Sequence, residues 1–129
     1  MDASALVEVA FDAAAAVAAS LDGLGDWGPN LGRPGQYKLD LAADDAALAV
    51  LHAAGLGSLS EESGRHHPDR PLVAVVDPVD GSTNAHRGLP WYATSVCVLD
   101  GDGPLAAAVV NLATGARFWA VRGLSLIHI

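Results

Sequence analysis

The stretch that organises the chain is Leu72-Val73-Ala74-Val75-Val76-Asp77-Pro78-Val79-Asp80-Gly81-Ser82-Thr83-Asn84. Its first five residues form a continuous apolar run of strand length, the pattern of a strand covered on both faces. Two carboxylates follow, three residues apart, and Pro78 between them can bend the chain so that both converge on one cation. Carboxylate and carbonyl oxygens are hard ligands that select Mg²⁺, Mn²⁺ or Ca²⁺ over zinc or copper. Gly81, Ser82 and Thr83 then open a short helix. Glycine lets backbone approach a ligand closely, and the free N–H groups of a helix start bind phosphate. Taken alone, Asp77 to Gly81 also reads as an ordinary turn.

Outward from this stretch, the period of the apolar residues changes. Residues 4–21 carry Leu6, Val9, Ala10, Ala13, Val17 and Leu21 near helical spacing, with alanine filling the gaps and Ser4 as the expected N-cap. Residues 23–35 are rich in glycine and proline and read as a surface loop. A second helix is expected over 41–54, with Leu48, Leu51 and Leu41 as its stripe and Gly55 as its stop. Strands are expected over 56–60, 72–76, 94–99, 105–111 and 117–122, with a polar loop over 63–71. The Asp100-Gly101-Asp102-Gly103 and Thr114-Gly115 segments mark hairpins, so the last three strands are expected to be antiparallel. The resulting class is α+β, with two N-terminal helices packed on a mostly antiparallel sheet.

Composition limits what such a chain does. It has 129 residues, 51% hydrophobic and 17% charged, with a formal net charge of −8. That is too apolar for a disordered tail, and it offers no basic face for nucleic acid. The lone Cys97 excludes a disulfide framework and a four-cysteine zinc site. The uncharged run over 13–21 is short for a membrane span, and no Lys or Arg precedes Arg33, so no signal-type N-terminus is expected and the chain reads as cytoplasmic. The spacing of Asp77 and Asp80 rules out an EF-hand loop, and no Gly-Lys-Ser/Thr element supplies a nucleotide P-loop. His66 and His67 read as solvated loop residues and His86 as a helix-surface residue. Cys97, Trp91 and Trp119 are expected to pack.

Upstream, Ser60-Glu61-Glu62-Ser63-Gly64 ends the short strand before the Asp77 strand. Adjacent acids at a strand end are ordinarily solvated, but here they can add carboxylates to the Asp77 and Asp80 cluster. A cluster of that kind repels a phosphate ester unless cations intervene.

The order Glu-Glu-Ser, Asp-Pro-Val-Asp-Gly-Ser-Thr-Asn and Gly88-Leu89-Pro90-Trp91 resembles the inositol monophosphatase family. The resemblance implies Mg²⁺-dependent, lithium-sensitive hydrolysis of a small phosphate monoester by metal-activated water. Two or three Mg²⁺ ions are implied, with Mn²⁺ as a substitute. By position, Glu61 and Asp77 resemble metal ligands, Asp77 bridging two ions. Val79 would offer its carbonyl to the first ion and Asp80 would bind the second. Gly81 and Ser82 would present amides to the phosphate, and the Ser82 hydroxyl would orient the attacking water. Asp44 resembles the aspartate that supports this hydroxyl, with Asp45 as a competitor. Glu62 would act from outside the ligand sphere.

The resemblance also implies a layered αβαβα fold of which residues 1–123 are the N-terminal, metal-binding half. Residues 124–129 match nothing in the family and suggest truncation. A homodimer is implied for the full-length form, and no membrane or nucleic-acid partner. The phosphate ester itself stays open among inositol monophosphate, fructose 1,6-bisphosphate, histidinol phosphate and a phosphorylated nucleotide. A non-catalytic cation-binding or partner-packing module is the alternative reading. An apolar sheet edge is expected to be left exposed.

Overall fold

The computed structural model describes residues 1–29, 35–123 and 127–128. Residues 30–34 of the expected loop, and 124–126 and 129 of the expected non-matching tail, lie outside the described residues. In chain order the elements are α1 (Ala3–Asp22), α2 (Lys38–Ala53), β1 (Gly57–Ser60), β2 (Gly64–His66) and β3 (Val73–Asp80). They continue with α3 (Ser82–His86), β4 (Ala93–Asp100), β5 (Gly103–Asn111), β6 (Arg117–Val121) and β7 (Ile127–His128). The strands form one sheet in the order β2-β1-β3-β4-β5-β6-β7. Every pairing is antiparallel except β1 with β3. This is the expected α+β layering.

The cap of α1 is Asp2, whose carboxylate accepts from the Ala5 amide at 2.8 Å, and not Ser4. Asp2 stands one residue before the first helical turn, where its charge also suits the helix dipole. By length and composition alone α1 is apolar enough to cross a membrane. In this fold its face of Leu6, Val7, Ala10, Phe11, Ala13, Ala14, Val17 and Leu21 is instead buried in the core.

Helix α2 starts at Lys38, earlier than residue 41. Asp40, the third helical residue, reaches back and accepts from the Tyr37 amide at 2.8 Å, so an acid inside the helix closes its N-terminus. The buried stripe is Leu39, Ala43, Ala47 and Leu51, all fully buried, with Leu48 beside it. Leu41 falls off this stripe and is exposed. Gly55, at φ +89°, follows the helix and ends it as expected.

Both long helices cover one face of the sheet. That face presents Ser58 and Ser60, Ala74 and Val76, Thr94, Val96 and Val98, and Ala106 and Ala108, all buried. Alternate residues point the other way, because the side-chain period of a strand is two. On that opposite face Leu59, Val75 and Val109 are 42%, 42% and 41% exposed, and Phe118 is 40% exposed. The expectation that residues 72–76 are covered on both faces is therefore corrected: Val75 has no layer above it. Cys97 lies on the same open face, half-buried, and not in the core. Trp91 is 74% exposed in the loop before β4, whereas Trp119 packs against the core as expected. Residues 64–66, read as loop, form the short edge strand β2.

Candidate active site

Strand β3 does not end at Val76. It runs through Asp80, and its register against β4 shifts between Asp77, opposite Ser95, and Asp80, opposite Ala93. Three steps on β3 thus face two on β4, which is a β-bulge of one extra residue. The bulge sets how the two aspartates stand relative to one another. In a regular strand, residues three apart project from opposite faces. One inserted residue returns Asp77 and Asp80 to a common side. The bulge is held from the buried side by the Thr94 hydroxyl, which donates to the Pro78 carbonyl at 2.8 Å. The Val79 side chain is buried in the core, which leaves only its backbone to serve a site.

After the bulge, Gly81 caps the five-residue α3 at φ +91°. A Cβ at Gly81 would stand 2.6 Å from the Trp91 carbonyl oxygen, so no other residue fits without displacing the loop. Asn84 ties the same loop to α3 by donating to the Trp91 carbonyl at 2.9 Å.

Glu61 and Glu62 lie in the turn between β1 and β2, and β1 pairs with β3 up to Ser60 opposite Val76. The Glu61 amide donates to the Val76 carbonyl at 3.1 Å, which sets Glu61 beside Asp77. The two carboxyl groups thus line one depression side by side, and like charges held close make it costly to ionise both. The Asp77 carboxyl is pushed up from 3.8 to about 8, first by burial, then by the adjacent Glu61 carboxyl, and further by the charges of Asp80 and Glu62. A depression of about 390 Å³ opens beside the pair, with Val75, Ser95 and Cys97 in its wall. Asp80 is exposed at its side and interacts with Asp77 through charge.

Asp44, expected to support Ser82, engages a different hydroxyl in the structure. Asp44 is buried and accepts from the Ser60 hydroxyl, which also accepts from the Glu62 amide at 3.1 Å. Asp44 therefore braces the acidic turn. Asp45 is exposed. The carboxylate beside the Ser82 hydroxyl is Asp40, one helical turn earlier on the same face of α2. Burial, and then the charges of Glu62 and Glu61, raise Asp40 from 3.8 to about 6 against the opposing pull of the Tyr37 amide and the Ser82 hydroxyl. Asp40 and its neighbour Gln36 were not singled out in the sequence. The signal for Asp40 was available in the four-residue spacing of Leu39, Ala43, Ala47 and Leu51, which starts the helix early enough to make Asp40 an N-terminal acid.

Two buried side-chain oxygens have no hydrogen-bond partner among the described residues, Asp40 Oδ1 and Asp77 Oδ1, and both belong to this site. Buried polar atoms are nearly always paired. A cation fits here: it would satisfy the orphaned Asp77 oxygen and offset the repulsion among the neighbouring acids that pushes Asp77 up. The acidic donors, Glu61, Asp77 and Asp80, all offer oxygen. Among the described residues no three His, Cys, Asp or Glu side chains are gathered into a ready-made cation site, so the structure brings Glu61 and Asp77 together and leaves Asp80 alongside.

The family profile described as inositol monophosphatase matches residues 36–127, most of the chain and all of this site. The chain belongs to the inositol monophosphatase family. A curated relative from Methanothermobacter thermautotrophicus, named fructose-1,6-bisphosphatase/inositol-1-monophosphatase, is 41% identical over 101 residues, covering 66% of this chain and 36% of the relative. A relative from Mycobacterium tuberculosis named histidinol-phosphatase is 36% identical over 69 residues, covering 54% of this chain and 26% of its own length.

The fold matches that of solved members. A Pyrococcus horikoshii protein described as similar to inositol-1 monophosphatase superposes with a TM-score of 0.86 at 22% identity, over 98% of this chain and 52% of the other. An extragenic suppressor from Pyrococcus furiosus gives 0.80 at 27% identity, over 95% and 52%. The chain thus spans about half the length of the solved structures it matches.

Proposed function

We propose that this chain carries the cation and phosphate half of a Mg²⁺-dependent phosphomonoesterase. The observation that supports it is the pair of orphaned, buried carboxylate oxygens on Asp40 and Asp77 within one acidic site. Glu61, Asp77 and Asp80, with the Val79 carbonyl, would hold two or three Mg²⁺ ions, or Mn²⁺ in their place. When bound, such ions neutralise a phosphate ester and make water a better nucleophile.

The protein's own groups do the rest. Asp40, whose Oδ1 has no partner among the described residues, lies beside the Ser82 hydroxyl. Ser82 can donate to Asp40 and accept from a water, which aims that water at phosphorus in line with the leaving oxygen. The bulge keeps Asp77 and Asp80 on the side of that water. Gly81 and Ser82 amides would meet the phosphate oxygens. Glu62 stays outside the ligand sphere.

The substrate class is a small phosphate monoester such as inositol monophosphate, since relatives carry the names inositol-1-monophosphatase, fructose-1,6-bisphosphatase and histidinol-phosphatase. Phosphorylated nucleotides belong to the same class. Lithium inhibition, a cytoplasmic location and a homodimer of the full-length form follow from the same reading. Because the chain spans about half of its solved relatives, its own turnover is expected to be low, and cation binding is the direct readout. Calorimetry with Mn²⁺ or Mg²⁺ should show saturable binding that Asp77→Asn or Asp80→Asn reduces by tenfold or more, about the worth of one lost charged ligand. Wild-type affinity in Asp77→Asn would overturn the site. Saturable cation binding with no phosphate release even from a chain extended to family length would favour a non-catalytic module.

A further inference from the structure

We infer that Gln36 is a positioning residue of this site, whose amide holds Glu62 aside so that Glu61 faces Asp77. The inference rests on the cation-site reading above. Gln36 precedes α2 and is buried, 7% exposed. Its Nε2 lies 2.5 Å from Glu62 Oε2. An ionised carboxylate only accepts, so the amide nitrogen must be the atom that faces it. Glu61 and Glu62 are adjacent, both negative, and both raise Asp77 and Asp40. Glu61 lines the depression together with Asp77, and Glu62 does not.

The backbone of the turn is already pinned, at Glu61 by the Val76 carbonyl and at Glu62 by Ser60. What remains is which side chain enters the site, and Gln36 contributes to that choice by engaging the Glu62 carboxylate. The next residues extend the same jig. The Tyr37 hydroxyl bonds the Thr83 hydroxyl at 3.1 Å, and Asp40 stands at Ser82. One turn of chain at the start of α2 therefore registers the acidic turn against α3.

The test is Mn²⁺ calorimetry on the 129-residue chain at neutral pH, with far-ultraviolet circular dichroism as a check on folding. Gln36→Ala should weaken Mn²⁺ binding about tenfold, the worth of a hydrogen bond to a charged group. Gln36→Glu, which sets a like charge against Glu62, should weaken it further. The double variant Gln36→Glu/Glu62→Gln exchanges donor and acceptor at unchanged net charge and should return to within about threefold of the unsubstituted chain. A merely structural role predicts no such rescue. If Gln36→Ala does not fold, Gln36→Asn, one methylene too short, is read in its place. Loss of binding in Asp77→Asn, combined with wild-type affinity in Gln36→Ala or with no rescue in the double variant, would overturn the role of Gln36 alone. No saturable binding to the unsubstituted chain, or none lost in Asp77→Asn, would overturn the site reading and this inference with it.

Discussion

Asp40 shows how one side chain serves the helix and the site at once. Its Oδ2 closes the N-terminus of α2 through the Tyr37 amide, while the buried Oδ1 has no partner among the described residues. The helix and the Ser82 hydroxyl favour its charge, and burial opposes it more strongly. A carboxyl whose folded value is raised binds its proton more tightly in the folded state. Its contribution is fully present below 3.8 and lost as pH rises through about 6. Asp40→Asn keeps an acceptor for Tyr37 but carries no charge. In cation-free buffer the variant should gain stability over the unsubstituted chain as pH rises through this window, levelling off at about 1–3 kcal/mol. Denaturant unfolding at several pH values measures it, and a difference that does not change with pH would show that Asp40 ionises without penalty. Asp44, one turn further along, shares the face but not the task, because it reaches Ser60 and not Ser82. Spacing along a helix identifies a face, and two acids four apart on one face are indistinguishable until the neighbouring strand is placed.

At the scale of elements, the bulge in β3 and the glycine after it make the site possible. Asp77-Pro78-Val79-Asp80 reads in sequence as a turn. The structure keeps it in the sheet, with Thr94 satisfying the Pro78 carbonyl and Val79 filling the core. Pro78 lacks the amide that a regular ladder needs, which suits it to the bulge. Gly81 then turns the chain through a left-handed conformation against the Trp91 carbonyl. Gly81→Ala should therefore cost about 2–4 kcal/mol, combining the conformational penalty with the close contact. A denaturant midpoint equal to that of the unsubstituted chain would mean that the loop at Trp91 yields freely. The alanine-rich α1 and the strands β4 to β6 were legible from period and turn residues, since each of those signals is local. Strand β2 was not. Its three residues, Gly64–His66, owe their extended conformation to β1, and nothing in their own composition demands it.

For the whole molecule, the asymmetry of the sheet dominates. One face is sealed by α1 and α2, and the other carries Leu59, Val75, Val109 and Phe118 in solvent. The expected apolar edge is in fact an apolar face. A surface of this kind drives association in water. The chain alone should self-associate in sizing experiments despite its charge of −8, and Val75→Lys/Val109→Lys should restore a monomer with unchanged circular dichroism. A sharp monomer peak from the unsubstituted chain would contradict this.

Sequence by itself determined the helices, the antiparallel strands and the family, and it singled out Glu61, Asp77 and Asp80 as candidates, because periodicity, turn residues and ligand chemistry are written in short stretches. Tertiary structure alone decided four things. It put Asp40, and not Asp44, at Ser82. It turned the Asp-Pro-Val-Asp segment into a bulge that returns both acids to one side. It set Gln36 on Glu62, and it left one face of the sheet uncovered. Each of these depends on which distant segments meet, and chain-distant contacts are settled by the packing of whole elements against one another, which no local pattern encodes.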